Sequence, residues 1–201
     1  EKAQRTYNYN FDGDLIKTIT GFTYTNDALT LSVTNRALNV TGDTAVVAPG
    51  AKRSETIYTG NEGEEKAQRT YNYDYAGLVI KTTTAFTYAN DALTLSVTTK
   101  GQDGLVKKSE TVYIGNEGEE KAQKTYNYNF AGDAIKTVTE FFYVNDALSS
   151  SNTNRVANST AVMADVELGA MKSITTYIGN EGEEKAQRTY NYNFDGDLIK
   201  T

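Results

Sequence analysis

From Gln4 to Asn10 the chain sets Arg5, Tyr7 and Tyr9 on one side and Thr6, Asn8 and Asn10 on the other. A period of two is the signature of a strand. Asp12-Gly13 then supplies a hairpin signal, because Gly takes positive φ without steric cost. The next run, Leu15 to Tyr24, places Ile16, Thr18, Thr20, Phe22 and Tyr24 on one face, and Asn26-Asp27 marks a second turn. A third strand, Leu29 to Val33, sets Leu29, Leu31 and Val33 opposite Thr30 and Ser32. A variable loop, Asn35 to Ala51, leads to a fourth strand from Ser54 to Thr59, and Gly60-Asn61-Glu62-Gly63 turns the chain again. No long apolar stripe of period 3.6 is present, so no helix is expected.

The pattern repeats. EKAQRTYNY starts at Glu1, Glu65 and Glu184, and EKAQKTYNY starts at Glu120, giving spacings of 64, 55 and 64 residues. The units are 1–64, 65–119, 120–183 and a partial copy, 184–201, that is identical to 1–18. The return to the starting sequence suggests a three-unit higher-order repeat that continues past both ends, and the absence of an initial Met suggests sequence upstream. The length difference falls in the variable loop, which shrinks to Lys100–Gly104 in the second unit. Loop tips tolerate such changes and ladders do not. The expected fold is all-β. It is a tandem-repeat antiparallel meander of about four strands per unit and about 14 in all, wound into a superhelical sheet, shell or tube.

Composition supports strands over a thick core. Hydrophobic residues are 38%, Trp and Cys are absent, and there are 15 Tyr and one Pro. Turns therefore fall to Gly, Asn and Asp. A net charge of −6 argues against nucleic acid and anionic membranes as partners. No apolar run reaches the length of a spanning helix.

With no His and no Cys, Ser–His and Cys–His nucleophiles and the usual zinc sites are excluded. Two acidic groups recur, Asp12 with Asp14 and Glu62 with Glu64 and Glu65. Both read first as solvated turns. Asp12 and Asp14 are the weak candidates for Ca²⁺, which needs six to eight converging oxygens. No cofactor is expected. Carboxylate pairs recurring in every repeat do not suggest a glycosidase.

Two Tyr columns run through the repeats: Tyr7, Tyr71, Tyr126, Tyr190, and Tyr9, Tyr73, Tyr128, Tyr192. They read as packing against neighbouring strands, with sugar stacking as the functional alternative. Asn39-Val40-Thr41 and Asn158-Ser159-Thr160 are N-x-Thr sequons in corresponding loops, so Asn39 and Asn158 are candidate glycosylation sites.

Tyr9-Asn10-Phe11-Asp12-Gly13-Asp14-Leu15 resembles the YD repeat of the RHS family, Y-D-x-x-G-x-L on a β-hairpin. Tyr73-Asp74-Tyr75-Ala76-Gly77-Leu78-Val79 matches more closely. Tyr128 to Ala134 around Gly132, and Tyr192 to Leu198 around Gly196, repeat the pattern. Asn replaces Asp in three copies, the period exceeds the roughly 20 residues of a YD unit, and the DPxG motif of RHS toxin shells is missing. The resemblance implies a spiral β-meander on a large bacterial surface or secreted protein.

The expected function is structural: an extracellular fibre, tube or surface appendage, without enzymatic activity. Its partners would be neighbouring repeats or identical chains. The alternatives are an adhesin contacting surface glycans and an RHS-type encapsulating shell.

Overall fold

The computed structural model describes residues 1–199. The strands are β1 (Arg5–Tyr9), β2 (Ile16–Thr25), β3 (Ala28–Ala37), β4 (Pro49–Thr59), β5 (Lys66–Tyr73), β6 (Ile80–Ala89) and β7 (Ala92–Lys100). They continue with β8 (Val106–Ile114), β9 (Lys121–Tyr128), β10 (Ile135–Val144), β11 (Ala147–Val156), β12 (Leu168–Ile178), β13 (Lys185–Tyr192) and β14 (Leu198–Ile199). Spatial order equals chain order, and the described registers are antiparallel, so the protein is one 14-stranded meander. Helix among the described residues is limited to one 3-10 turn, Met163–Asp165. Two compact units are distinguished, Glu1–Phe86 with Thr98–Leu105, and Thr87–Val97 with Val106 onward.

The Asn-Asp turns follow from backbone chemistry. Asn26 and Asp27 take φ of 48° and 70°, and Asn90-Asp91 and Asn145-Asp146 repeat this. Two consecutive positive φ values define the tight hairpin turn whose twist matches the strands. The strands beyond them run longer than the third and fourth runs of the sequence pattern. Paired backbone extends to Ala37 and back to Pro49, and shortens the intervening loop.

Bulges reset the faces. Tyr9 pairs with Ile16 and Asn8 with Thr18, which leaves Lys17 as the extra residue. Ile16 thereby joins Ile19 and Tyr7 on the face opposite Thr18, correcting the single face expected for Ile16 and Thr18. Lys81 and Lys136 are extra residues in the same way. Tyr24 pairs with Leu29 and Thr23 with Leu31, so Thr30 is bulged and Leu29 lies on the other face from Leu31 and Val33. A third bulge leaves out Gln68 between Tyr58–Ala67 and Ile57–Arg69. Each bulge bends the strand and increases its right-handed twist.

The apolar core is small. In the first unit Ile16, Ile19 and Val47 are buried, with Tyr7 and Ala37 packed on them. In the second, Ile135 and Val138 are buried. Full burial of such a side chain contributes about 1.5–3 kcal/mol, so polar fastenings between strands matter more than usual. Thr20 and Thr34 hydroxyls lie 2.8 Å apart, and Thr56–Thr70, Thr84–Thr98, Thr111–Thr125 and Thr139–Thr153 lie 2.9 Å apart. Every such pair is 14 residues apart in sequence. Between other strands the Asn8 amide donates to Thr18 at 3.1 Å and the Asn72 amide to Thr82 at 3.3 Å.

Candidate functional site

The Tyr-Asn/Asp hairpin loops form one end of the strands. Asn10 organises the first: its Oδ1 accepts from the Asp14 and Leu15 amides, each at 3.1 Å, while its Nδ2 donates to Asp14 at 2.7 Å. Asn129 and Asn193 repeat this toward Asp133 and Asp197. Asp74 accepts from Leu78 and Val79 amides at 2.9 and 3.2 Å. Those amide donors hold its carboxyl below the usual carboxylate range. Asp12-Gly13 thus lies inside a six-residue hairpin loop, residues 10–15, built by Asn10. Gly77 (φ 74°) is required twice over, since a Cβ would stand 2.5 Å from the Lys52 amide nitrogen.

Asp12 and Asp14 do not converge with other acids. Asp14 is occupied by Asn10, and no group of three potential metal ligands occurs among the described residues.

Members of a Tyr column are separated by three strands, so they do not stack on one another. Tyr7 pairs with Ile19, Tyr71 with Glu55, Tyr126 with Glu110, and Tyr190 with Ile174. In the other column, Tyr9 is 44% exposed, while Tyr73 carries the Lys52 ammonium 4.9 Å from its ring centre. Tyr128 donates to the Glu110 carboxylate, and its hydroxyl lies 3.1 Å from the Ala161 carbonyl. Burial, reinforced by Glu110, pushes the Tyr128 hydroxyl well above its ordinary pKa. Tyr192 receives an Arg155 hydrogen bond on its carbonyl at 3.2 Å. Glu110 is itself buried and pairs with Lys107 at 2.9 Å, as Glu55 pairs with Lys52 at 2.6 Å. In the third unit the same two positions hold Met171 and Ile174, so the ion pair is replaced as a pair.

Two further Tyr columns escape a reading based on alternation. Tyr58, Tyr113 and Tyr177 hydroxyls meet Ser32, Ser96 and Ser151 at 3.1, 3.1 and 3.2 Å. Tyr24 and Tyr143 donate to the Ala3 and Ala122 carbonyls, both at 2.9 Å.

The other end of the strands carries the charged turns, where Glu65 is the main revision of the solvated-turn reading. Its two carboxylate oxygens accept from the Leu29 amide at 2.8 Å and the Gly63 amide at 2.9 Å. Leu29 adjoins the bulged Thr30, so Glu65 satisfies an amide that the ladder leaves over. Glu120 and Glu184 hold Leu93 and Leu148, both at 2.9 Å. These backbone donors, Leu29 and Leu148 first, lower the Glu65 and Glu184 pKa values. Gly60 (φ 132°) makes room beneath, as a Cβ there would lie 2.4 Å from the Glu64 carbonyl. Lys121 joins Asp146 at 2.8 Å to Glu181 at 3.1 Å, and Lys2 joins Asp27 to Glu62 likewise. Glu65 and Glu64 are adjacent and chemically alike; only the bulge across the sheet distinguishes them.

Both sequon Asn residues fasten their own loops. Asn39 accepts from the Ala48 amide at 2.8 Å and donates to the Val46 carbonyl at 3.1 Å. Asn158 accepts from the Glu167 amide at 3.1 Å and donates to the Asp165 carbonyl at 2.6 Å. The sequon Thr residues present carbonyls to the sheet: Thr41 to the Ile16 amide at 2.8 Å and Thr160 to the Ile135 amide at 2.7 Å.

At the hairpin tips stand exposed aromatics. Phe11, Tyr75 and Phe194 are 105%, 85% and 82% exposed. The Arg36 guanidinium lies 4.9 Å from the Tyr75 ring centre, and Arg155 lies 4.9 Å from that of Phe194. Arg36 also donates to the Lys52 and Asp74 carbonyls at 3.3 and 3.4 Å, tying each hairpin to the preceding strands.

No protein-family model and no curated protein matches this sequence.

Proposed function

We propose that this chain is a non-catalytic structural repeat protein, building an extracellular fibre, tube or surface appendage by continuous winding of one β-sheet. The observation that supports it best is the recurrence of the same fastenings: the Thr pairs 14 residues apart, the Ser–Tyr contacts, and the Glu65, Glu120 and Glu184 clamps. None of these contacts forms a reaction centre, and all of them fix strand register. The bulges at Lys17, Thr30 and Gln68 add twist at regular places, which favours a wound sheet over a flat one. Winding also covers sheet edges that would otherwise pair with foreign strands. The YD-like hairpins, with Asn or Asp at their first position, are consistent with an RHS-like spiral.

Load along such a chain is carried unit by unit. Single-molecule pulling tests this: released 64-residue units should lengthen in steps of up to about 220 Å. A single all-or-none rupture of the whole chain would contradict it.

A second reading, an adhesin for surface glycans, draws on the exposed Phe11, Tyr75 and Phe194 rings. Glycan-array binding lost on Phe11→Ala, Tyr75→Ala and Phe194→Ala would favour it, and loss on Tyr9→Ala would extend it to the strand column.

A further inference from the structure

We propose that the loop end of the sheet is a docking surface for the acidic turns of a second copy of this chain. The inference rests on the fibre reading above and supplies its lateral contact.

In the second compact unit a cleft of about 430 Å³ opens beside the hairpin loop. Lys136, Arg155 and Lys172 line it together with Phe194 and Ala157, and no Asp or Glu does. Lys136 and Lys172 are exposed. Neither they nor Arg155 takes part in an ion pair among the described residues. Arg155 donates to the Met171 and Tyr192 carbonyls and stands over the Phe194 ring, and no carboxylate among the described residues pairs with it. The first unit carries the equivalent set, Lys17, Arg36, Arg53 and Tyr75. Clustered unpaired cations are unexpected in a chain of net charge −6.

The complement lies at the opposite end of the same strands. Glu64, Glu119 and Glu183 are exposed at the Gly-Asn-Glu-Gly turns and form no ion pair among the described residues. Acids outnumber lysines there, as in Asp146, Glu181 and Glu184 around Lys121. β13, eight residues and about 26 Å long, lies between Glu184 and Phe194, so a unit's turn cannot reach its own cleft. A second copy can present its turn there. The contact joins two different surfaces, so it extends into a row where the rotation between successive copies does not close a ring.

Sedimentation velocity of the full chain tests this at about 0.05 M and about 1 M NaCl. The wild type should associate with concentration at low salt and dissociate at high salt. Lys17→Glu/Arg53→Glu/Lys136→Glu/Lys172→Glu and Glu64→Lys/Glu119→Lys/Glu183→Lys should each be monomeric alone. An equimolar mixture of the two should recover mixed complexes, since each supplies the surface complementary to the other's. Recovery in the mixture also shows that both variants fold. Wild-type monomer at low salt, or variants that associate as the wild type does, would overturn the proposal. Monomeric wild type that instead binds an anionic polysaccharide through the cleft lysines would overturn it too. Filaments that persist in the charge-reversed variants would remove this contact and leave the fibre reading standing.

Discussion

The side-chain nitrogen of Asn10 donates to the carboxylate of Asp14 at 2.7 Å, and the same bond joins Asn129 to Asp133 at 2.6 Å. Where the first residue is Asp74, the fourth residue on is Leu78. Two carboxylates at that separation would repel, so the hairpin exchanges both members together. Asn129→Asp alone should therefore destabilise the chain by about 1 kcal/mol. Asn129→Asp/Asp133→Leu should recover most of the loss. Urea midpoints of the three proteins check this, and equal midpoints for the single and double variants would show no coupling.

Glu65 and Glu184 have folded pKa values below the unfolded value because backbone N–H groups hold their charged forms. A depressed carboxyl stabilises the fold at pH above its unfolded pKa, near 4.3. That contribution fades as pH falls through the folded pKa. The denaturation midpoint of the wild type should thus drop as pH falls below about 4. Glu65→Gln/Glu184→Gln should lower the midpoint at neutral pH, because one amide side would turn a donor toward the Gly63 or Gly182 N–H. It should also flatten the acid slope. A pH titration of midpoints in both proteins reads the difference.

Lys107 stands over a buried Glu110 that also accepts from Tyr128. Lys107→Met alone leaves that carboxylate short of a partner and should cost about 1–3 kcal/mol. Lys107→Met/Glu110→Ile copies Met171 and Ile174 of the third unit and should be closer to the wild type than the single variant. Thermal melts of both variants decide it.

The Thr20–Thr34 hydroxyl contact should couple its two residues by about 0.2–1 kcal/mol. A double-mutant cycle with Thr20→Val and Thr34→Val measures that term directly. Additive single effects would show that the ladder gains nothing from the pair.

Much of this was legible in the chain. The alternation of Arg5 to Tyr9, the Asn26-Asp27 turn and the recurrence of four strands in each unit sufficed for a 14-stranded meander. The bulges were not legible. An extra residue such as Lys17 or Thr30 carries no side-chain mark, yet it moves Ile16 and Leu29 to the opposite face. The Glu65 clamp was hidden for the same reason, since the amide it satisfies exists only because Thr30 is bulged. The exchange of Asn10–Asp14 for Asp74–Leu78 stood in the repeats, but its meaning needed the distance between the side chains. That Asn39 and Asn158 brace their own loops is likewise not marked by the sequon pattern.

Electron microscopy of the native material tests the central proposal most directly. The fibre reading expects filaments whose axial period matches one or more of the recurring units. Monodisperse globular particles without filaments would contradict it.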